Sequence, residues 1–412
     1  MPERTTDHLV SFTRPVEEYT GLLRDAQTGQ WLALTEPQRI ISTCNTDELA
    51  ACLREVAAAV ADQGLIAAGF LAYEAAAAFD AALTTHSDTS GFPLLWFALY
   101  RQSRGAELPA PIGSLPNLTW RSTVEPEAYR ERLQRIHHYI AAGDTYQVNF
   151  SYRLRASYSG DAWPLFTHLA SSHDPEFGAY LHLGRWEILS LSPELFFRRD
   201  GDQILSLPMK GTIGRGLSVE DDRAQGLRLH NSPKDRAENV MIVDMVRHDL
   251  GRIALPGSVR VEELFAVRRY STLWQMTSTV TAQVRAPLDT VFSALFPAAS
   301  ITGAPKARTM AIIKELETSP RRLYTGAIGF LLPGGRAQFN VAIRTLLHDR
   351  HRQTMEYGVG GGIVADSSIS DEWEETRIKS LVCRAPQPPF HLFETLEWNA
   401  TGGSPLLAPL RH

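Results

Sequence analysis

The 412-residue chain has only three cysteines, Cys44, Cys52 and Cys383, and they are far apart or unpatterned. That excludes a disulfide framework and the close spacing of a structural zinc knuckle. No Lys/Arg-rich block is present, and the formal net charge is −5. A nucleic acid or an anionic membrane surface is therefore excluded as the main partner. No run approaches the ~18 uninterrupted apolar residues of a membrane span, and Met1-Pro2-Glu3-Arg4-Thr5-Thr6-Asp7 has no apolar signal core. Together these absences predict a soluble, cytoplasmic protein. Internal repeats and long low-complexity tracts are missing too. What is there is a hydrophobic fraction of 44% in a long chain. That is enough for a large core, arranged as one large or two unequal domains.

Periodicity outlines the elements. Leu49, Leu53, Val56 and Val60 line one face of a helix over roughly 47–63. Gly69 to Glu74 reads as a strand entering an alanine-rich turn, and Phe92 to Tyr100 as a buried strand. A polar, proline-containing link, Arg104 to Pro116, separates a smaller N-terminal α/β part (1–105) from a larger domain (117–386), with 387–412 as a tail. Pro126 and Gly143 bracket a helix over about 126–142. Short strands follow near 146–154, 178–183, 187–190, 194–199 and 203–207. With no helices between them, antiparallel pairing is favoured over βαβ units. Helices near 219–231, 233–249, 305–317 and 370–383 complete an α+β class.

Two runs carry the functional signal. Tyr357-Gly358-Val359-Gly360-Gly361-Gly362-Ile363-Val364-Ala365-Asp366 puts four glycines in five residues, and only glycine exposes backbone N–H groups with no side chain in the way. Such a run reads as an anion-receiving wall or as a tight turn. It stands with Ser300-Ile301-Thr302-Gly303-Ala304-Pro305-Lys306, with Asp235-Arg236-Ala237-Glu238-Asn239 and with Ala342-Ile343-Arg344-Thr345. In this order and spacing, residues 120–385 resemble the chorismate-binding enzymes. That resemblance implies two large antiparallel sheets packed together, outer helices and an active-site cleft.

It also implies site residues. Glu238 shares a helix face with Ile242 and Met245, and a carboxylate on an apolar face wants a partner or a cation. Glu372, Glu375 and Lys379 share a second face. Taken alone, Glu375 and Lys379 make a surface pair worth about 0.3–0.5 kcal/mol; their position just after the glycine run points instead to a site. The resemblance makes Glu238 and Glu375 ligands of Mg²⁺, with Glu372 a water-mediated helper; oxygen-only ligands shared with an anionic substrate suit that ion. Arg344 has a planar fork suited to a substrate carboxylate. Tyr324, the amides of Gly360, Gly361 and Gly362, and Lys379 are the matching contacts for the second carboxylate and the metal. Thr302 and Ala304 are expected to line the ring.

The reaction turns on Leu207-Pro208-Met209-Lys210-Gly211-Thr212. Relatives that form anthranilate carry Ala where Lys210 stands, and those that form 4-amino-4-deoxychorismate carry Lys. Lys210 is therefore expected to be a nucleophile, which requires a neutral amine. Glu194 is the expected general acid. Alternatives within the family form anthranilate, isochorismate or salicylate, and a non-catalytic chorismate-binding paralogue is a further one. Departures from the family pattern are His248 in Arg247-His248-Asp249, Gln275 in place of a histidine, and Ala298-Ala299 in place of two glycines. No glutaminase nucleophile segment exists, which implies a separate glutamine amidotransferase subunit or free ammonia. The N-terminal part lacks the segment of tryptophan-regulated members. The tail, Pro389 to Asn399, resembles the opening of a fused lyase domain for which the chain leaves no room; a separate lyase is a candidate partner.

Overall fold

The computed structural model describes residues 10–11, 20–111, 115–116, 118–270 and 273–383. Among them, two large sheets stack face to face, one of eleven strands and one of ten, and the strand pairs between 20 and 383 are antiparallel. Leu34, Leu181, Trp186, Ile188 and Leu347 of the first sheet meet Phe70, Trp96, Ile328 and Phe330 of the second in a dry layer. Phe92 ties the layer together, stacking on Phe70 and meeting Trp186 edge-on. Helices cover both outer faces. Thr46–Gln63, Pro233–Gly251 and Leu288–Leu295 pack on one side; Pro126–Ala141, Ala162–His173 and Lys306–Leu316 pack on the other. Strands buried on both faces need apolar residues at every position, which is why Ile66–Leu71 and Leu95–Tyr100 read as continuous runs.

Most sequence-derived boundaries fall within a residue or two of the observed ones, and the caps explain why. Asn45 accepts from Asp47 N–H at one helix start, Ser232 from Asp235 N–H at another, and Gly64 ends the first helix at φ 65°. Two helices were not anticipated, Ala162–His173 and Leu288–Leu295. Arg104 to Pro116 is also more than a link. Arg104–Glu107 is a strand that pairs antiparallel with Trp31–Leu34. The first hundred residues supply strands to both sheets: Gly21–Arg24 joins Ala179–His182 in one, and Ile66–Leu71 joins Ala327–Leu332 in the other. They are woven into the larger part rather than set beside it. The tail 387–412 lies outside the described residues.

Candidate active site

Strand Met209–Gly214 carries Lys210 at the edge of the second sheet, paired with Leu273–Gln283. The register shifts between Met209 and Thr212, and such a break re-aims a side chain. Gln275, one of the departures noted above, donates from Nε2 to the Gly211 carbonyl at 3.3 Å and so braces this segment. Lys210 is half-buried as a residue, but its amine is enclosed against the first sheet. A Cβ on Gly362 would stand 2.7 Å from its Nζ. Burial pushes the Lys210 pKa down and Lys379 adds to that, while Glu238, Glu375 and Glu194 pull the other way. An amine stripped of part of its charge is a better nucleophile.

Glu194 is 5% exposed, and burial pushes its carboxyl up to about 7 against the hydrogen bond from Ser300 and the charges of Lys210 and Lys379. Ser300 Oγ donates to Oε1 at 2.6 Å. A carboxylic acid that keeps its proton near neutral pH can hand it to a leaving oxygen.

Glu372 and Glu375 lie on helix Ile369–Ser380, just beyond the glycine run. A Cβ on Gly361 would stand 2.8 Å from Glu372 Oε2 and 3.9 Å from Glu375 Oε1. Burial raises the Glu372 pKa, the Ser367 hydrogen bond opposes that, and the Glu375 charge adds to it. Burial acts on Glu375 in the same sense, but Lys379, paired with it at 2.6 Å, and Lys210 and Lys234 bring its pKa below the usual value. Glu238 sits on Pro233–Gly251 and is felt at Lys210. Among the described residues, no three His, Cys, Asp or Glu side chains converge on one metal position. Of the three expected metal carboxylates, Glu372 and Glu375 flank Gly361, while Glu238 and Glu375 both act on the Lys210 amine.

Strand Thr354–Ile363 pairs with Gln147–Ser157 along its whole length, but its other neighbour, Thr345–Asp349, stops opposite Tyr357. From Gly358 onward one edge is open. Lys379 Nζ donates to the Gly360 carbonyl at 3.0 Å, which identifies that carbonyl as facing the open edge. In a strand the N–H and C=O of one residue point the same way and alternate along the chain. Gly360 and Gly362 therefore offer their amides outward, while Gly361 turns its amide toward the Phe150 strand. The expected row of three amide donors becomes two. Gly358 serves differently, since a Cβ there would lie 2.2 Å from the Tyr324 ring.

The remaining expected contacts vary in how they are held. The Tyr324 ring packs against Gly358 and lies 5.0 Å from the Arg153 guanidinium. Thr302 is fully buried, and its hydroxyl already donates to the carbonyls of Ala298 and Ala299, so it stiffens the turn. Ala304 extends a two-residue strand against Gln147. Arg344 adopts a left-handed backbone at φ 49°, a strained state that concentrates at functional sites. Among the described residues it has no carboxylate at ion-pair distance, which leaves its fork open to an anion.

Sequence reasoning passed over the strand beneath this cleft. Gln147, Asn149, Ser151 and Arg153 alternate along it and are all buried. The carboxamide of Gln147 has no partner at either atom, and a Cβ on Gly362 would come within 3.4 Å of it. An unsatisfied buried amide costs about 1–3 kcal/mol, which a polar ligand would relieve. The alternation with Val148, Phe150 and Tyr152 is visible in the sequence, but the burial of the polar face in the middle of a sheet is not. Below it, Glu317 accepts from Ser151, Arg153 and Arg321. Arg321 in turn donates to the Ile301 and Asn149 carbonyls and to Thr325.

Comparison with known proteins shows the family. Residues 102–383 match the chorismate binding enzyme family. Aminodeoxychorismate synthase component 1 of Klebsiella aerogenes is 44% identical over 65% of this chain and 60% of its own length, and that of Escherichia coli is 43% identical over 62% and 57%. Anthranilate synthase component 1 1 of Haloarcula marismortui is 39% identical over 63% and 53%. The matches span less than two thirds of these relatives' lengths. Anthranilate synthase component I of Streptococcus pneumoniae shares the fold, with a TM-score of 0.76 at 24% identity over 92% of this chain and 95% of its own. The family match covers the cleft, the glycine strand and both acidic helices, and the chain belongs to the chorismate-binding enzymes.

Proposed function

We propose that this chain acts as an aminodeoxychorismate synthase component I, replacing the C4 hydroxyl of chorismate with an amino group. The observation that carries this reading is Lys210, an enclosed amine with a lowered pKa facing the glycine strand in the same cleft as the protonatable Glu194. The Lys210 amine adds at C2, electrons shift through the ring diene, and the C4 oxygen leaves as water with the proton of Glu194. Ammonia then adds at C4, the diene shifts back, and the Lys210 amine departs from C2. One difficult substitution is divided into two easier ones. Arg344, the amides of Gly360 and Gly362, and Lys379 receive the two carboxylates, and the free carboxamide of Gln147 receives a polar ring substituent. Anthranilate formation needs no residue at Lys210, so the enclosed lysine disfavours it.

Mg²⁺ fits this cleft as an ion shared with the substrate. Glu372, raised by burial and by Glu375, is a carboxylate whose ionised form an added cation would favour. Glu372 and Glu375 would hold the ion, whose chemistry would be to neutralise the ring carboxylate, and Glu238, which does not converge with them on one position, would add its negative charge from the other acidic helix. Ammonia comes from a glutamine amidotransferase subunit, a separate lyase completes 4-aminobenzoate for folate synthesis, and the setting is the cytoplasm. Among the described residues no helix is long and apolar enough to cross a membrane.

The test is product identification. Purified chain with chorismate, Mg²⁺ and ammonium salt is expected to yield 4-aminobenzoate only after a lyase is added. Lys210→Ala is expected to lose both this product and the covalent adduct seen by intact mass. Anthranilate as the main product, or undiminished turnover by Lys210→Ala, overturns the reading.

A further inference from the structure

We propose that Ser300 is a positioning residue for Glu194: its hydroxyl ties down one carboxyl oxygen and leaves the other as the single proton-donating atom. This rests on the reading of Glu194 as the general acid. Ser300 Oγ donates to Glu194 Oε1 at 2.6 Å, and Oε2 has no hydrogen-bond partner among the described residues. An oxygen that accepts a hydroxyl hydrogen is the less basic of the two, so the acidic proton resides on Oε2.

The turn that presents Ser300 is built to be rigid. It lies in a short 3₁₀ segment, Ala299–Ile301, flanked by the Thr302 hydroxyl bonded to Ala298 and Ala299. On its other side Arg321 NH1 donates to the Ile301 carbonyl at 3.0 Å. Glu194 is fixed with equal care. Its N–H donates to Ser192 Oγ at 3.2 Å, its carbonyl accepts from Val341 N–H at 3.0 Å, and the strand bulges just after it. Two braced segments, 106 residues apart in sequence, meet through one side-chain hydrogen bond.

Both residues also line a small cavity of about 20 Å³, walled by Phe196, Pro208, Leu295 and Val341. The charged groups around Glu194 are Lys210 from the edge strand, Lys379 from the last helix and Asp249, which lines the same cavity. Asp249 is paired with Lys306 at 2.8 Å. None of these bonds to the Glu194 carboxyl, so Ser300 is the direct control on its geometry. The hydroxyl favours the ionised form, and its loss therefore lets the Glu194 carboxyl hold its proton to higher pH.

The experiment separates this claim from the assignment of the reaction. Protein labelled with ¹³C at glutamate side-chain carboxyls is titrated by NMR, with Glu194→Gln identifying the Glu194 signal. In Ser300→Ala the titration midpoint is expected to rise by about one pH unit, the scale of one hydrogen bond to a charged acceptor. Ser300→Thr, which keeps the hydroxyl, is expected to restore the midpoint. The high-pH limb of kcat with ammonium is expected to move up in step, with the chorismate KM changed far less than kcat. A midpoint unmoved in folded Ser300→Ala overturns the proposal. A midpoint that rises while the kcat limb stays fixed upholds Ser300 as the brace and overturns Glu194 as the acid.

Discussion

Three glycines of one strand allow the cleft to be dissected by the same small change. Gly362, Gly361 and Gly358 lie within five residues, yet a methyl at each would meet a different group. At Gly362 the methyl carbon would stand 2.7 Å from Lys210 Nζ, against an ordinary contact of at least 3.4 Å. The amine must retreat by about 0.7 Å, which it can do because it ends a flexible chain. Misplacing a reacting group by about 1 Å costs on the order of 100-fold in rate. Gly362→Ala is therefore expected to lower kcat by about 10- to 100-fold, with a thermal midpoint close to wild type. At Gly361 the methyl meets Glu372 Oε2 at 2.8 Å, so Gly361→Ala is expected to shift the Mg²⁺ dependence more than the rate at saturating metal. At Gly358 it meets the Tyr324 ring at 2.2 Å, a packed group without freedom to move, and the cost is expected in stability, about 1–3 kcal/mol. Steady-state kinetics across Mg²⁺ and ammonium, beside thermal unfolding, read all three variants. If Gly362→Ala keeps wild-type kcat, or loses activity only through unfolding, Lys210 does not react at the position described.

Glu194→Gln is expected to abolish amination yet stabilise the fold at high pH. The folded carboxyl titrates near 7 against an ordinary 4.5, so the native state binds the proton more tightly and the stability contribution of Glu194 falls as pH rises between these values. The variant's advantage is expected to be absent at pH 4 and to level off at about 3 kcal/mol above pH 8; equal unfolding free energies at pH 8.5 would sink the burial argument. Glu238→Gln and Glu375→Gln are expected to raise the Mg²⁺ concentration for half-activity by about 10-fold or more, ~1.4 kcal/mol of affinity, and an unchanged metal titration would make them plain helix charges. With ammonium the purified chain is expected to turn over, its rate at fixed total ammonium rising with NH₃ up to about pH 7 and levelling off as Glu194 loses its proton; with glutamine it is expected to be idle until an amidotransferase subunit is added. Glutamine-driven product from the chain alone would contradict that division.

Much of the fold and part of the site were legible because their causes are local. Pro126, Ser232 and Gly64 mark helix ends by backbone chemistry that the sequence displays directly. Lys210, Glu194 and Arg344 stood in motifs whose residue types carry chemistry. Helix Ala162–His173 was hidden because Trp163-Pro164 opens a segment whose first nine residues are buried on most sides, and a helix buried nearly all round shows little period. Leu288–Leu295 is too short for the period to register. Ser300 and Gln147 escaped for another reason: their roles lie in contacts with Glu194 and with the Lys210–Gly362 junction, far away in sequence. The split of the glycine amides required knowing which neighbouring strand stops first.

The weaving of residues 20–107 into both sheets bears on how this protein can be cut. The family match begins at residue 102, which invites trimming there. Such a cut would strip Gly21–Arg24 from Ala179–His182 and Ile66–Leu71 from Ala327–Leu332, opening an unpaired border on each sheet at once. Exposed borders of long apolar strands recruit other chains, so the trimmed protein is expected to precipitate or swap strands, even with every catalytic group still present. The segment that matches the family is smaller than the unit whose sheet borders are closed.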